Sequence, residues 1–437
     1  MTRTLRSLWL LGLASPVLLC AVVVVARAGI TGRVGPGGTV TTAIGPRFDQ
    51  AHAVIREPDG SLVAAGFSED GFALVRYGAD GSLDTSFGHG GTVTTDTDHV
   101  EGGGAGAVVR QPDGKLVAAG ANFYGLALVR YNPNGSLDRS FGHDGKATVA
   151  VGIDGGTAGA LVLQPDGKLV AAGEASLKLL SPRNFALVRC NPHGTVDTSF
   201  GRRGRITTAF DPDRDATALA LIRQPDGKLV AAGGLSHGSF GAFALVRYDP
   251  DGKLDTSFGR LGKTTTALGS GYAEARALLL QRDGKLVAVG VAHRRSRSRA
   301  NFALVRYNPD GSLDTSFGQG GKVQTAIGPG DAIANALALQ PDGRLIAAGN
   351  SLEDTRSAFT LARYNPNGTL DTSFGHGGTV TTAIGRGRSY ATALLLQPDG
   401  KPVAVGYSTG RKDRTLFTLA RYNPDGTLDA SFGRHRR

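Results

Sequence analysis

The chain has 437 residues, of which 65 are glycine, with 7% aromatics, a single Met and a formal net charge of +11. Abundant glycine, sparse aromatics and a 41% apolar share exclude a helical protein and a largely disordered one; they fit many short strands joined by tight turns. Length alone suggests about three domains, but internal repetition overrides that prior.

Residues 1–28 stand apart. Arg3 and Arg6 precede an apolar run from Leu8 to Val25, and Ala26-Arg27-Ala28 has the small-x-small form of a cleavage site. The segment reads as a secretory signal peptide cut after Ala28, and the protein as secreted or displayed at the cell surface. An uncleaved N-terminal membrane anchor is the alternative, because the run is long enough to span a bilayer. Lipoprotein processing does not fit, since Leu19 precedes Cys20 where a small residue is needed. Cleavage would remove Trp9 and Cys20 and leave Cys190 as the one thiol, so stability must come from packing rather than disulfides.

Residues 29–37 read as a linker and residues 38–437 as one repeat array. The sequence ALALQPDGRLIAAG (336–349), an apolar run, a Pro-Asp-Gly turn and a second apolar run, represents a hairpin written seven times, with its turn glycine at Gly60, Gly114, Gly167, Gly227, Gly284, Gly343 and Gly400. Proline presets φ, aspartate accepts a local backbone hydrogen bond and glycine takes the positive φ that closes the hairpin. The alternating segment FALVRY (302–307) follows, then a second turn NPDG (308–311), then LDTSFG (313–318), then a Thr/Val-rich segment such as GTVTT (91–95). The Phe of the SFG motif recurs from Phe87 to Phe432 at intervals of 54 to 59 residues. Each unit therefore predicts four strands, placed in one repeat at residues 336–340, 345–348, 359–363 and 379–383.

One four-stranded unit cannot bury both faces, whereas units arranged about an axis can. The ends of the array are in register for closure: an orphan strand at residues 38–44 precedes the first hairpin, and the chain finishes after Phe432 without its own fourth strand. The expectation is an all-β, seven-bladed β-propeller of 54–59-residue repeats, closed by the N-terminal strand pairing into the last blade. An open solenoid is the runner-up.

The combination LDTSFG, GG-x-VTT, LQPDGKLVAAG and FALVRYNPDG resembles the delta-60 repeat family of exported bacterial proteins, over nearly all of the chain after the leader. KAT (146–148) and KTT (263–265) depart from its Val-containing strand. The order of hairpin, turn and strand is similar, more weakly, to NHL-type propellers. The resemblance implies a propeller and no particular activity.

Residues present in every repeat read as scaffold. The third-strand arginine (Arg76 to Arg421) and the aspartate of LD-x-SF (Asp84 to Asp429) flank one turn, close enough for an Arg–Asp pair within each blade. Cys190, where the other repeats have Tyr, reads as a structural exchange. Function belongs where the repeat breaks, and both variable loops of each blade open on the face opposite the Pro-Asp-Gly turns. Early loops carry Glu69, Asp70, Asp96, Asp98, Glu101, Asp211, Asp213 and Asp215. Later loops carry Arg294, Arg295, Arg297 and Arg299, then Arg386, Arg388, Arg411, Lys412 and Arg414. These cations are the candidate binding residues, for an anionic cell-wall polymer or a protein. Nucleic acid is not expected, because no aromatics are interleaved with the arginines.

No cofactor is expected; Asp211, Asp213 and Asp215 are the weak metal candidates, for calcium, without an EF-hand glycine and distal glutamate. No nucleophile motif, Cys/His metal spacing or phosphate loop is evident, and the nine histidines are scattered. The predicted function is a monomeric, exported, non-catalytic propeller that binds or displays, with no membrane contact after leader cleavage. The alternatives are a lyase or lactonase-like hydrolase using the central channel, by fold analogy, and a purely structural surface protein.

Overall fold

The computed structural model describes residues 32–34, 37–69, 71–97, 104–122, 124–152, 156–178, 181–295 and 298–434. The leader read at residues 1–28, with Trp9 and Cys20, lies outside them, as do Asp70, Asp98, Glu101 and Arg297.

Each repeat builds one antiparallel four-stranded blade whose strands run outward from the axis in chain order. In blade 6 these are Ala332–Leu339, Leu345–Glu353, Arg356–Tyr364 and Thr379–Thr382. The inner three are longer than the apolar patterning predicts, because ladder pairing continues past the buried positions to Glu353 and Arg356 at the loop tip. Blades 4 and 5 are further linked by a single bridge between Gly234 and Glu274. The hairpin turns use the expected chemistry: their glycines sit at φ of 81–92°, and the turn aspartates accept a backbone N–H two residues on, as in Lys115 N to Asp113 Oδ1 at 3.1 Å.

The ring closes as its ends predict. Thr39–Thr42 pairs antiparallel with Thr415–Arg421, the third strand of blade 7, placing Thr39 opposite Ala420 and Thr42 opposite Phe417. Gly32–Val34, in the segment read as linker, adds a fifth strand outside it. The core is divided into seven clusters, one between each pair of neighbouring blades, and the cluster across the seam joins Val403, Phe417 and Leu419 to Leu62, Val75 and Tyr77.

A clasp repeated seven times holds the blades together. Arg130 Nε donates to Asp138 Oδ2 at 2.7 Å, its guanidinium lies 4.7 Å from the Phe141 ring centroid, and Nη1 reaches the Pro192 carbonyl of the next blade at 2.7 Å. The Arg–Asp pair expected within a blade is thus also a tie between blades. At the seam Arg421 Nη1 makes the same bond to Ala79 O, at 2.6 Å. A second tie runs from Tyr131 Oη to Thr95 Oγ1 of the preceding blade, at 2.9 Å. Both guanidinium and carboxylate are buried, a setting in which loss of one partner is far more damaging than loss of both.

The glycine ending each LVAAG run is required by space rather than by φ. In six blades the innermost strand carries a register shift opposite that glycine: between Ala51 and Ala53, Ala105 and Ala107, Ala218 and Ala220, Ala275 and Ala277, Ala334 and Ala336, and Ala391 and Ala393. The extra residue presses a carbonyl onto the second strand, so that a Cβ on Gly349 would stand 1.9 Å from Ile333 O. Bulges of this kind bend the strand and re-aim one side chain.

Candidate functional site

The two variable-loop sets open together at one end of the barrel of blades. Arg294, Arg295 and Arg299 are exposed on the blade 5 loop between His293 and Ala300. That loop is shaped by Ser298, whose hydroxyl donates to Arg295 O at 2.8 Å and accepts from Arg295 N at 3.0 Å. Arg386 and Arg388, exposed on the connection into blade 7, pack against the next loop of that blade: Thr409 N donates to Arg388 O at 2.8 Å and Arg386 N to Thr409 O at 3.3 Å. Arg411 and Lys412 are exposed there on a short 3-10 turn. Among the described residues none of these seven cations is ion-paired.

Arg414 is different. It is half-buried, turned toward the seam, with Nη2 donating to Gly45 O and lying 3.7 Å from Asp49 Oδ2. Asp49 is fully buried, and burial pushes its carboxyl above the ordinary range despite hydrogen bonds from Ile44 N, Gly45 N and Ser68 Oγ. Arg414 therefore ties the N-terminal strand to blade 7.

The basic sector expected from the sequence is interrupted between its blade 5 and blade 7 clusters by the blade 6 loop, which carries exposed Glu353 and Asp354 beside Arg356. Two exposed aromatics sit on loops that are hydrogen-bonded through their backbones toward the cation-bearing ones. Phe240, 56% exposed on the blade 4 loop, precedes Gly241, whose N–H donates to Gly271 O at 3.3 Å; Ser270 N in turn donates to Arg294 O at 3.1 Å. Phe48, 48% exposed, follows Arg47, whose carbonyl accepts from Thr415 N at 2.9 Å.

The three aspartates weighed for calcium do not converge. Asp211 accepts from Asp213 N at 3.0 Å and lies 3.4 Å from Arg214, and Asp215 accepts from Arg183 N at 2.9 Å. Among the described residues no three His, Cys, Asp or Glu side chains are grouped to hold a metal ion.

A second non-repeated constellation lies at the axis, and sequence reading missed it. Neighbouring innermost strands contact one another all round the ring. The residue inserted at each bulge differs from blade to blade: His52, Gly106, Leu219, Arg276, Asn335 and Thr392 in blades 1, 2, 4, 5, 6 and 7, with Gly159 at the equivalent place in blade 3. In blades 5, 6, 7 and 1 they form a polar arc. Arg276 donates from Nε to Glu274 Oε2 at 3.1 Å and from Nη1 to Asn335 Oδ1 at 2.8 Å. Asn335 Nδ2 donates to Ala391 O at 2.8 Å, and Thr392 Oγ1 to Ala51 O at 2.7 Å. His52 stands 3.5 Å from Gln50 Oε1, and burial lowers its affinity for a proton, keeping it neutral. The signal was an Ala-x-Ala motif with a changing centre, which alignment of the repeats on their bulge would have displayed.

The glycines that end the LVAAG runs and the clasp recur in every blade, whereas the two loop clusters and the axial arc differ from blade to blade. Comparison with curated proteins returns no match. Among solved structures, a polysaccharide lyase, an ulvan lyase bound to -[GlcA(1-4)Rha3S]-, is similar over 88% of this chain and 95% of its own, at 10% identity and TM-score 0.53. A protein from Lactobacillus plantarum is similar over 79% of this chain and 89% of its own, at 16% identity and TM-score 0.48. A gluconolactonase from Xanthomonas campestris covers 71% of this chain and 82% of its own, at 11% identity and TM-score 0.37. At these identities the likeness is one of fold alone. A family model described as a domain of unknown function (DUF5122) beta-propeller matches residues 57–87, 111–141, 164–200, 224–258, 281–317, 340–374 and 397–432, more than half of the chain. The chain belongs to this propeller family.

Proposed function

We propose that the protein is an exported, non-catalytic binding propeller that holds an anionic polymer, of the cell-wall polyanion class, on its variable-loop face. One observation carries this reading: Arg294, Arg295, Arg299, Arg386, Arg388, Arg411 and Lys412 have no carboxylate partner among the described residues, whereas the repeated arginines and the hairpin lysines are consumed in ion pairs. Unpaired cations on two loop clusters suit a ligand that is long and multiply charged better than one compact anion. The test is retention of residues 29–437 on isolated cell-wall material at low and high salt. Retention that weakens with salt and is lost when Arg294, Arg295, Arg411 and Lys412 are changed together to Ala, at unchanged thermal stability, is the expected result. Salt-independent retention, or full retention by the four-fold variant, sinks the reading.

The axial arc favours a second reading, in which the channel mouth acts on a substrate. Turnover abolished by His52→Ala, with the fold intact, would put that reading first.

A further inference from the structure

Ten tyrosines are present, and six of them occupy the repeated third-strand position. Three of the other four gather at the loop-side end of the inner strands: Tyr272 just before the innermost strand of blade 5, and Tyr390 and Tyr407 on the two inner strands of blade 7. Tyr390 and Tyr407 are register partners with ring centroids 5.0 Å apart and planes inclined by 31°. Both are half-buried, and among the described residues neither hydroxyl has a hydrogen-bond partner. At that spacing the rings stack offset on one another, a stacked aromatic platform at the loop-side end of blade 7 whose polar tips have no protein partner among the described residues.

The polar groups sharing this mouth describe the ligand further. Arg276 is compensated by Glu274 and bound to Asn335, so the arc itself contributes no free cation for a phosphate or sulfate. The arc offers donors and acceptors together, from Asn335, Gln50 and neutral His52, against an apolar platform on blade 7. A molecule with one flat C–H face and a rim of hydroxyls meets both requirements; an extended hydrocarbon or a compact anion meets neither. We infer that the axial mouth is a binding site, distinct from the basic loops, for the pyranose ring of a neutral saccharide stacked on the Tyr390–Tyr407 platform and hydrogen-bonded by the polar arc.

The test is saturation-transfer NMR on residues 29–437 with methyl glucoside, methyl galactoside, methyl mannoside and methyl rhamnoside, and with adenosine as a flat ring of different chemistry. High salt removes most of the contribution of the loop cations, so a failure here leaves the loop-face reading untouched. The expected result is saturable transfer to at least one glycoside, weakened about tenfold by Tyr390→Ala and little changed by Tyr390→Phe, which keeps the platform. Thermal unfolding of each variant separates lost binding from lost fold, and Glu274→Gln provides a second disruption of the arc if Tyr390→Ala does not fold. Absence of saturable transfer to every glycoside overturns the inference. So does transfer to adenosine alone, or a folded Tyr390→Ala variant that binds a glycoside as the parent does.

Discussion

Cys190 and Val149 occupy the two places where the other blade junctions put a tyrosine hydroxyl on a threonine. Tyr77 bonds to Thr42, Tyr131 to Thr95 and Tyr248 to Thr208 at 2.8–2.9 Å, but between blades 2 and 3 both members are exchanged and both are buried in one apolar cluster. Burial pushes the Cys190 thiol up to about 12, which leaves it a protonated, packed side chain rather than a nucleophile. Losing the donor and the acceptor together avoids an unsatisfied buried group. Cys190→Tyr alone should therefore cost about 1–3 kcal/mol, by overpacking and by stranding a hydroxyl. Adding Val149→Thr should recover part of that loss. Denaturant melts of the two variants decide, and equal stabilities would refute the pairing.

The clasp aspartates predict unequal costs. Asp138 accepts from Arg130 at 2.7 Å and lies 2.9 Å from Lys115, with both Arg130 and Asp138 buried. Asp84 has Ser61 where the other blades carry Lys or Arg, and its side chain is 29% exposed. Asp138→Asn should cost roughly 3–5 kcal/mol, as expected when one partner of a buried pair is removed. Asp84→Asn should cost clearly less, and Ser61→Lys should add no more than about 1 kcal/mol. Neither aspartate variant should change retention on cell-wall material, and a lost ligand at unchanged stability would assign the pair a role beyond scaffolding.

Acid should unfold the ring through these same groups. Burial alone would raise Asp138, but hydrogen bonds from Ser140 and Lys115 and the charge of Arg130 outweigh it and hold the carboxyl well below the ordinary range. Asp197, Asp255, Asp314 and Asp429 behave alike. A carboxyl depressed in the folded state stabilises above its unfolded value, near 3.9 for aspartate, and that stability is lost as pH falls toward the folded value. Asp49 acts in the opposite sense, since burial raises it, but Asp84 and Asp371 are lowered too, so one group opposes the seven clasp aspartates. Melting temperature should begin to fall below about pH 6.5, where the unfolded chain protonates His52 and the folded ring resists it. It should fall more steeply below about pH 4 as the clasp carboxyls protonate. A profile that stays level to pH 2 would remove the clasp from the account of stability.

Gly349→Ala places a Cβ 1.9 Å from Ile333 O. The bulge carrying Asn335 must then shift, and a loss of about 4 kcal/mol or more is expected, a size tied to steric conflict in a packed sheet. Heteronuclear NMR should show the disturbance reaching Arg276, which bonds to Asn335. A variant as stable as the parent would mean that the bulge is not held by this contact.

Removal of residues 1–44 takes away the strand that pairs with Thr415–Arg421. The truncated chain should melt lower and less cooperatively, and a peptide of residues 37–45 added in trans should restore the transition by binding the folded ring. Unaltered melting would show that blade 7 closes without its fourth strand.

Much of this was legible in the chain. The hairpin turns, the period and the out-of-register ends are local or repeated signals, and they sufficed for seven blades, closure by residues 38–44 and the Arg–Asp pair across one turn. Strand ends were less legible, because loop-tip residues such as Glu353 and Arg356 pair through their backbones without an apolar side chain to mark them.

The sequence by itself determined the architecture, since turn chemistry and two-residue alternation act within a few residues and are copied in every repeat. The tertiary structure alone decided which unique residues meet. It carried the clasp from Arg130 to the next blade at Pro192, split the loop cations into two clusters, and gathered Glu274, Arg276, Asn335, Thr392 and His52 on one arc. Ring closure brings together side chains separated by one or several repeats, and a distance of that kind leaves no periodic trace in the chain.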